Sequence, residues 1–132
     1  MNIAKFGQSF RSYADPTKVG YLIFYVTNRC NFRCKFCFYY AEIEQGRKPD
    51  ELTLEEIEKL SKSIGPVLQL SLTGGEPFLR KDMAELTQHF IDNCSVRYLS
   101  IPTNASLTDR MVTYLEKVLP RNPDTFLRLT FS

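Results

Sequence analysis

At 132 residues, 43% of them hydrophobic and 24% charged, the chain has material for one small globular domain with a single sizeable core. Lysine and arginine number 17 against 15 for aspartate and glutamate, so charge supplies no field for nucleic acid or a membrane surface. The first ten residues lack the apolar centre of a signal peptide, and no run approaches the roughly 18 apolar residues of a membrane helix, so a cytoplasmic location is expected.

Residues 1–20 show no sustained period and carry Gly7, Pro16 and Gly20, which reads as a leader covering one end of the first strand. Tyr21 to Thr27 is apolar throughout, as in a parallel strand buried on both faces. A loop with three cysteines follows, Cys30, Cys34 and Cys37, interleaved with Arg29, Arg33 and Lys35. Cations there either favour thiolates or are simply solvated loop charges. Three of four cysteines in one loop point to a metal centre rather than a disulfide framework. Three thiolates are one short of the four ligands of a structural zinc site or of a protein-held iron–sulfur cluster. The cysteines alone therefore allow a cluster with one open iron, or a zinc knuckle completed by Cys94 or His89. Cys94, standing apart, reads most simply as a small buried residue.

Downstream, Thr53 and Glu56 form a capping box before the helical face Leu54, Ile57, Leu60 and Ile64, and Gly65 with Pro66 stops that helix. A strand from Val67 to Thr73 runs into Gly74-Gly75-Glu76-Pro77. Asp82 and Glu85 read as a second capping box, with Leu86, Phe90 and Ile91 as the buried face behind it. The pattern repeats with a strand from Tyr98 to Pro102, Thr108 as cap, the face Met111, Val112, Leu115 and Leu119, and Pro120 as stop. A last strand spans Phe126 to Ser132. Four strands alternating with three helices predict an α/β fold with a parallel sheet.

Alternation within the strands adds a polar inner face. Gln69, Ser71 and Thr73 alternate with leucines, as Arg128, Thr130 and Ser132 alternate with Leu127, Leu129 and Phe131, so the apolar set should face the helices. Such a face suits an open barrel holding a charged cofactor better than a packed aliphatic interior. The last strand carries no following turn, cap or cover, and the expectation is that this chain stops inside its fold.

The Cys30-x3-Cys34-x2-Cys37 loop after the first strand and Gly74-Gly75-Glu76-Pro77 after the second, intact and in that order, resemble the radical S-adenosylmethionine (radical SAM) family over residues 21–132. The resemblance implies a core that is the first half of a partial (β/α)6 TIM-like barrel, preceded by the 1–20 leader. It implies a [4Fe-4S] cluster on Cys30, Cys34 and Cys37, with S-adenosylmethionine on the fourth iron. Reductive cleavage of that cofactor would generate a 5′-deoxyadenosyl radical for hydrogen abstraction, in peptide, protein or cofactor-precursor modification. By the same resemblance Phe36 lies near the adenine, and the segment Gly74 and Gly75 receives the methionine amino group with Glu76 as charge partner. Thr103 would lie near the methionine carboxylate, and Ser132 near that carboxylate or the ribose. Implied partners are a peptide or small-molecule substrate and an electron donor such as flavodoxin or ferredoxin, with no nucleic acid and no membrane. The family often has Thr-Asn-Gly where this chain has Thr103-Asn104-Ala105, which makes that turn a point to check. Phe38, Tyr39 and Tyr40 are expected in the core and His89 on the surface. The competing expectation is a zinc-stabilised four-cysteine binding module without catalysis, using Cys94 as its fourth ligand.

Overall fold

A computed structural model describes residues 15, 19–45 and 51–131, so almost all of the expected leader and Ser132 lie outside the described residues. The strands are β1 (Tyr21–Thr27), β2 (Gln69–Gly74), β3 (Tyr98–Thr103) and β4 (Phe126–Phe131). They lie side by side in chain order, every pair parallel. Between them run the helices α1 (Tyr40–Glu44), α2 (Leu54–Ile64), α3 (Met83–Cys94) and α4 (Thr108–Val118). The alternation is the predicted α/β repeat of a partial barrel.

Burial explains the alternation. Leu70, Leu72, Leu99 and Ile101 point from the sheet into one core with Ile57, Phe78, Leu86 and Phe90 from the helical side, all of them 0–1% exposed. Leu22, Phe24, Leu127 and Leu129 extend this layer to the outer strands, and Phe24 meets Phe90 with ring centroids 5.3 Å apart. The other face of the sheet is largely open among the described residues, apart from Tyr39 on Tyr25. Tyr21, Ile23 and Tyr25 are therefore exposed, which corrects the expectation that the first strand is buried on both faces. Phe131 is exposed too, because it lies at the very end of β4, beyond the reach of the leucine layer.

Helix starts differ in how they are capped. The Thr53 box forms as predicted: the Glu56 N–H donates to Thr53 Oγ1 at 3.3 Å and the Thr53 N–H to Glu56 Oε2 at 2.8 Å. The second expected box does not form, since Asp82 makes no side-chain cap bond and its carboxylate is taken by Arg80. Thr108 is the first residue of α4 rather than its cap, and its hydroxyl donates to the Ala105 carbonyl at 3.3 Å. At the far end of α4, Asn122 Nδ2 donates to the Val118 carbonyl at 2.8 Å, one of the last carbonyls of the helix. The short α1 was not foreseen. It buries Ile43 but leaves Phe38 86% exposed, so Phe38 is not core; Tyr39 instead packs on Tyr25 at 5.7 Å.

Because all strands are parallel, their C-terminal ends share one rim. That rim carries the cysteine loop after β1, the Gly-Gly-Glu-Pro segment after β2 and the Thr-Asn-Ala turn after β3.

Candidate active-site rim

Two glycines bring two of these loops together. A Cβ on Gly75 would lie 2.1 Å from the Arg29 carbonyl oxygen and 3.0 Å from Cys30 Cβ, and a Cβ on Gly74 would lie 2.2 Å from the Thr27 oxygen. Gly74 also holds φ at +142°, which side chains disfavour. The close approach lets the Gly75 N–H donate to the Thr27 carbonyl at 3.0 Å and the Glu76 N–H to the Arg29 carbonyl at 2.8 Å. The start of the cysteine loop is thus seated directly on the glycine pair.

Glu76 ties in the third strand. Its side chain is fully buried. Oε1 accepts from the Phe78 N–H at 3.1 Å and from Thr103 Oγ1 at 2.8 Å, while Oε2 accepts from the Asn104 N–H at 2.8 Å. A buried carboxylate is tolerable because these donors replace water. Thr103 is buried as well and accepts from the Ala105 N–H at 3.1 Å. Ala105 adopts a left-handed φ of 59°, so the turn takes the shape that glycine would adopt freely. Above this brace the side chains reach the cysteine loop. Asn104 Nδ2 donates to Asn31 Oδ1 at 2.9 Å, Asn31 Nδ2 donates to Ser106 Oγ at 2.8 Å, and Ser106 returns to Asn104 Oδ1 at 2.6 Å.

Behind the rim, the Arg80 guanidinium is buried and donates to the Val26 carbonyl at 3.0 Å, the Leu52 carbonyl at 2.6 Å and both Asp82 oxygens at 2.8 and 2.9 Å. These hydrogen bonds hold the Asp82 carboxyl below its usual range. Glu51 clamps the root of the loop, accepting from Thr27 Oγ1 at 2.5 Å and from Arg29 at 2.7 and 3.1 Å. Arg80, Glu51, Asn31 and Asn104 carry this geometry, and sequence reasoning gave none of the four a role at the site. Most of their partners lie 22 to 75 residues away along the chain, at distances no local pattern encodes.

Cys30, Cys34 and Cys37 are unpaired and partly exposed on the rim. The Cys37 N–H donates to the Cys34 carbonyl at 3.0 Å and the Phe32 N–H to Cys30 Sγ at 3.4 Å, while Arg33 turns back onto the Cys30 and Phe32 carbonyls. Among the described residues no three His, Cys, Asp or Glu groups stand close enough to hold a metal as placed. Cys30, Cys34 and Cys37 nonetheless share one loop after β1. In its donors the loop fits an iron–sulfur cluster: three soft, accessible thiols on a segment anchored at Cys30 and free of disulfides.

Phe36 is 85% exposed on this loop, and Ser132 lies outside the described residues. His89 is half-buried on α3, remote from the loop in the chain. Cys94 ends α3 fully buried, its Sγ donating to the Ser61 carbonyl at 3.2 Å, and its own carbonyl accepts from the Val67 N–H ahead of β2. That is the opposite end of the strands from the cysteine loop, and burial pushes its thiol up to about 11. The expectation that Cys94 completes a four-cysteine zinc site is overturned by this placement. A cleft of about 320 Å³ between the starts of α3 and α4, lined by Phe78, Met83, Arg110 and Tyr114, lies on the helical side and includes none of the cysteines or paired glycines.

Comparison with known proteins gives the rim its context. A family profile described as the Radical SAM superfamily matches residues 24–127. Among curated proteins, the chain is 33% identical over 124 residues to a GTP 3′,8-cyclase of Desulforamulus reducens, covering 85% of this chain and 38% of that protein. A GTP 3′,8-cyclase of Haemophilus influenzae is 34% identical over 100 residues, with 74% and 30% covered, and one of Clostridium botulinum is 35% identical over 102 residues, with 76% and 32% covered. The chain spans about a third of the length of these relatives.

Proposed function

The chain belongs to the radical SAM superfamily, and from that premise we propose that residues 21–132 form the first half of the core of an enzyme that abstracts hydrogen from a peptide, protein or cofactor-precursor substrate. The cofactors of this family are a [4Fe-4S] cluster and S-adenosylmethionine. Cys30, Cys34 and Cys37 would hold the cluster. A cluster held there would supply the electron for reductive cleavage of S-adenosylmethionine, the chemistry that makes hydrogen abstraction from a substrate accessible.

The chain's own residues orient rather than react. Gly74 and Gly75 leave room for backbone to meet the methionine end of the cofactor, and the Glu76 brace fixes that backbone between β2 and β3. Thr103 is committed to the same brace, so its part is in shaping the rim. Phe36, solvent-exposed beside Cys37, is free to lie on an adenine ring. The family requires a reductant, and flavodoxin or ferredoxin is the proposed donor. Among the described residues no helix is long and apolar enough to cross a membrane.

The observation that carries this reading is the seating of the Arg29–Cys30 backbone on Gly75, which joins the two motifs at one rim. The complete protein should take up iron and sulfide anaerobically, turn brown, and release 5′-deoxyadenosine with dithionite and S-adenosylmethionine. A protein that binds zinc, stays colourless and yields no 5′-deoxyadenosine refutes it.

A further inference from the structure

The open face of the sheet is layered. Strand register places Tyr21, Gln69, Tyr98 and Phe126 at one level, farthest from the rim, with Tyr98 and Phe126 in ring contact at 6.1 Å. One pleat nearer the rim stand Ile23, Ser71, Ser100 and Arg128. Nearer still are Tyr25 beside Thr73, and Pro102 beside Thr130. Arg128 is the one charged residue among these inward positions, and no described acidic group pairs with it. It sits three residues back from the end of β4, roughly 10 Å below the rim at strand rise. A small cavity of about 50 Å³ opens where it meets Gln69, Tyr98, Ser100 and Phe126.

We propose that Arg128 binds a carboxylate of the substrate. The guanidinium fork matches a carboxylate in two parallel hydrogen bonds. The in-register hydroxyls of Ser71 and Ser100 add neutral donors beside it. The floor of Tyr98 and Phe126 takes an aromatic or aliphatic group attached to that carboxylate. One cation among neutral side chains suits one anionic group. Magnesium GTP carries no carboxylate and serves as the contrasting probe. The substrate class is therefore a monocarboxylate with an apolar body, the carboxylate at Arg128 and the body on the aromatic floor. This assignment rests on the reading of the sheet as a radical SAM core wall.

The test uses the complete protein, with and without cluster and S-adenosylmethionine, and calorimetric binding of N-acetylphenylalanine, its amide and magnesium GTP. Wild type should bind the acid about tenfold or more tighter than the amide, as a charge-assisted pair provides. Arg128→Gln should bring that ratio to about one, and Arg128→Lys should retain part of it. Cluster content and the melting temperature of Arg128→Gln should match wild type, since the side chain is not part of the packed core. No binding of the acid, an acid-to-amide ratio near one in wild type, or a ratio that survives Arg128→Gln overturns the proposal, as does GTP binding more tightly than the acid. Failure of wild type to build a cluster or release 5′-deoxyadenosine counts instead against the proposed function, and leaves the binding ratio to be judged on the apoprotein.

Discussion

Glu76→Gln is nearly isosteric, and the structure makes its consequence calculable. The carboxylate faces donors on both oxygens: the Phe78 N–H and Thr103 hydroxyl at one, the Asn104 N–H at the other. A glutamine amide can present oxygen to only one side. With its NH₂ toward Asn104, two donors face each other there; flipped, the NH₂ can give a hydrogen to Thr103 but opposes the Phe78 N–H. Either orientation loses at least one charge-assisted bond of about 1.5–3 kcal/mol and leaves a buried backbone N–H unpaired. The net cost is on the order of 2–3 kcal/mol, roughly 8–12 °C in melting temperature for a domain of this size. Thermal unfolding followed by circular dichroism, in the absence of any cofactor, measures it. Faster amide exchange at Asn104 or Phe78 reports which side is broken. A variant that unfolds within about 0.5 kcal/mol of wild type refutes the brace. If it also binds S-adenosylmethionine more weakly, Glu76 acts as the charge partner that the family resemblance implies, and not as a strut.

Gly75→Ala should be the most damaging small change on the rim, because its methyl would lie 2.1 Å from the Arg29 oxygen, well inside ordinary contact; we expect a loss of about 1–3 kcal/mol and sharply reduced iron uptake, read by metal analysis. Ala105→Gly should raise stability by about 0.5 kcal/mol, since glycine adopts the left-handed φ of 59° without strain; a lowered melting temperature would contradict it. Arg80→Lys cannot replace four directed bonds and should cost about 2–4 kcal/mol in denaturant unfolding. Asp82 has its folded pKa lowered by Arg80, so its stabilisation is present above the ordinary carboxylate range and fades as pH falls through the folded value. Asp82→Asn should accordingly flatten the acid limb of the stability curve. Cys94→Ala should leave iron uptake intact. In the folded apoprotein at neutral pH a thiol reagent should find three reactive cysteines, because burial keeps Cys94 protonated; rapid labelling of all four would undo that placement.

The strands, the three long helices and the meeting of the two motifs were legible because each rests on a short-range signal. Period-two leucines marked β2 and β4, the Thr53 box marked α2, and the glycine pair marked a close approach. What was illegible came from competition. Asp82 has the residue type and spacing of a cap, yet Arg80 offers it a bidentate partner that a backbone N–H cannot match, and the box is lost. Phe38 and the inward side chains of β1 read as core because they are apolar, while their exposure depends on what covers the inner face, which no residue of the strand encodes. Cys94 shows the reverse case: its residue type admitted a ligand, and only its position at the C-terminus of α3 removed it.

The rim is wired by protein before any cofactor enters. Gly75 supports the Arg29–Cys30 backbone, Glu76 locks β2 to β3, and the Asn31–Asn104–Ser106 bonds return from β3 to the cysteine loop, closing a circuit over three strand ends. Two regions of the loop behave differently as a result. Its start, through Asn31, is held on both sides, whereas Phe36 and Phe38 are bare to solvent. A metal held by Cys30, Cys34 and Cys37 would meet a loop whose first part is already fixed by protein contacts. That division lowers the ordering entropy opposing the cluster, and it means that cutting the circuit at Asn104 should weaken the hold on iron although Asn104 supplies no ligand.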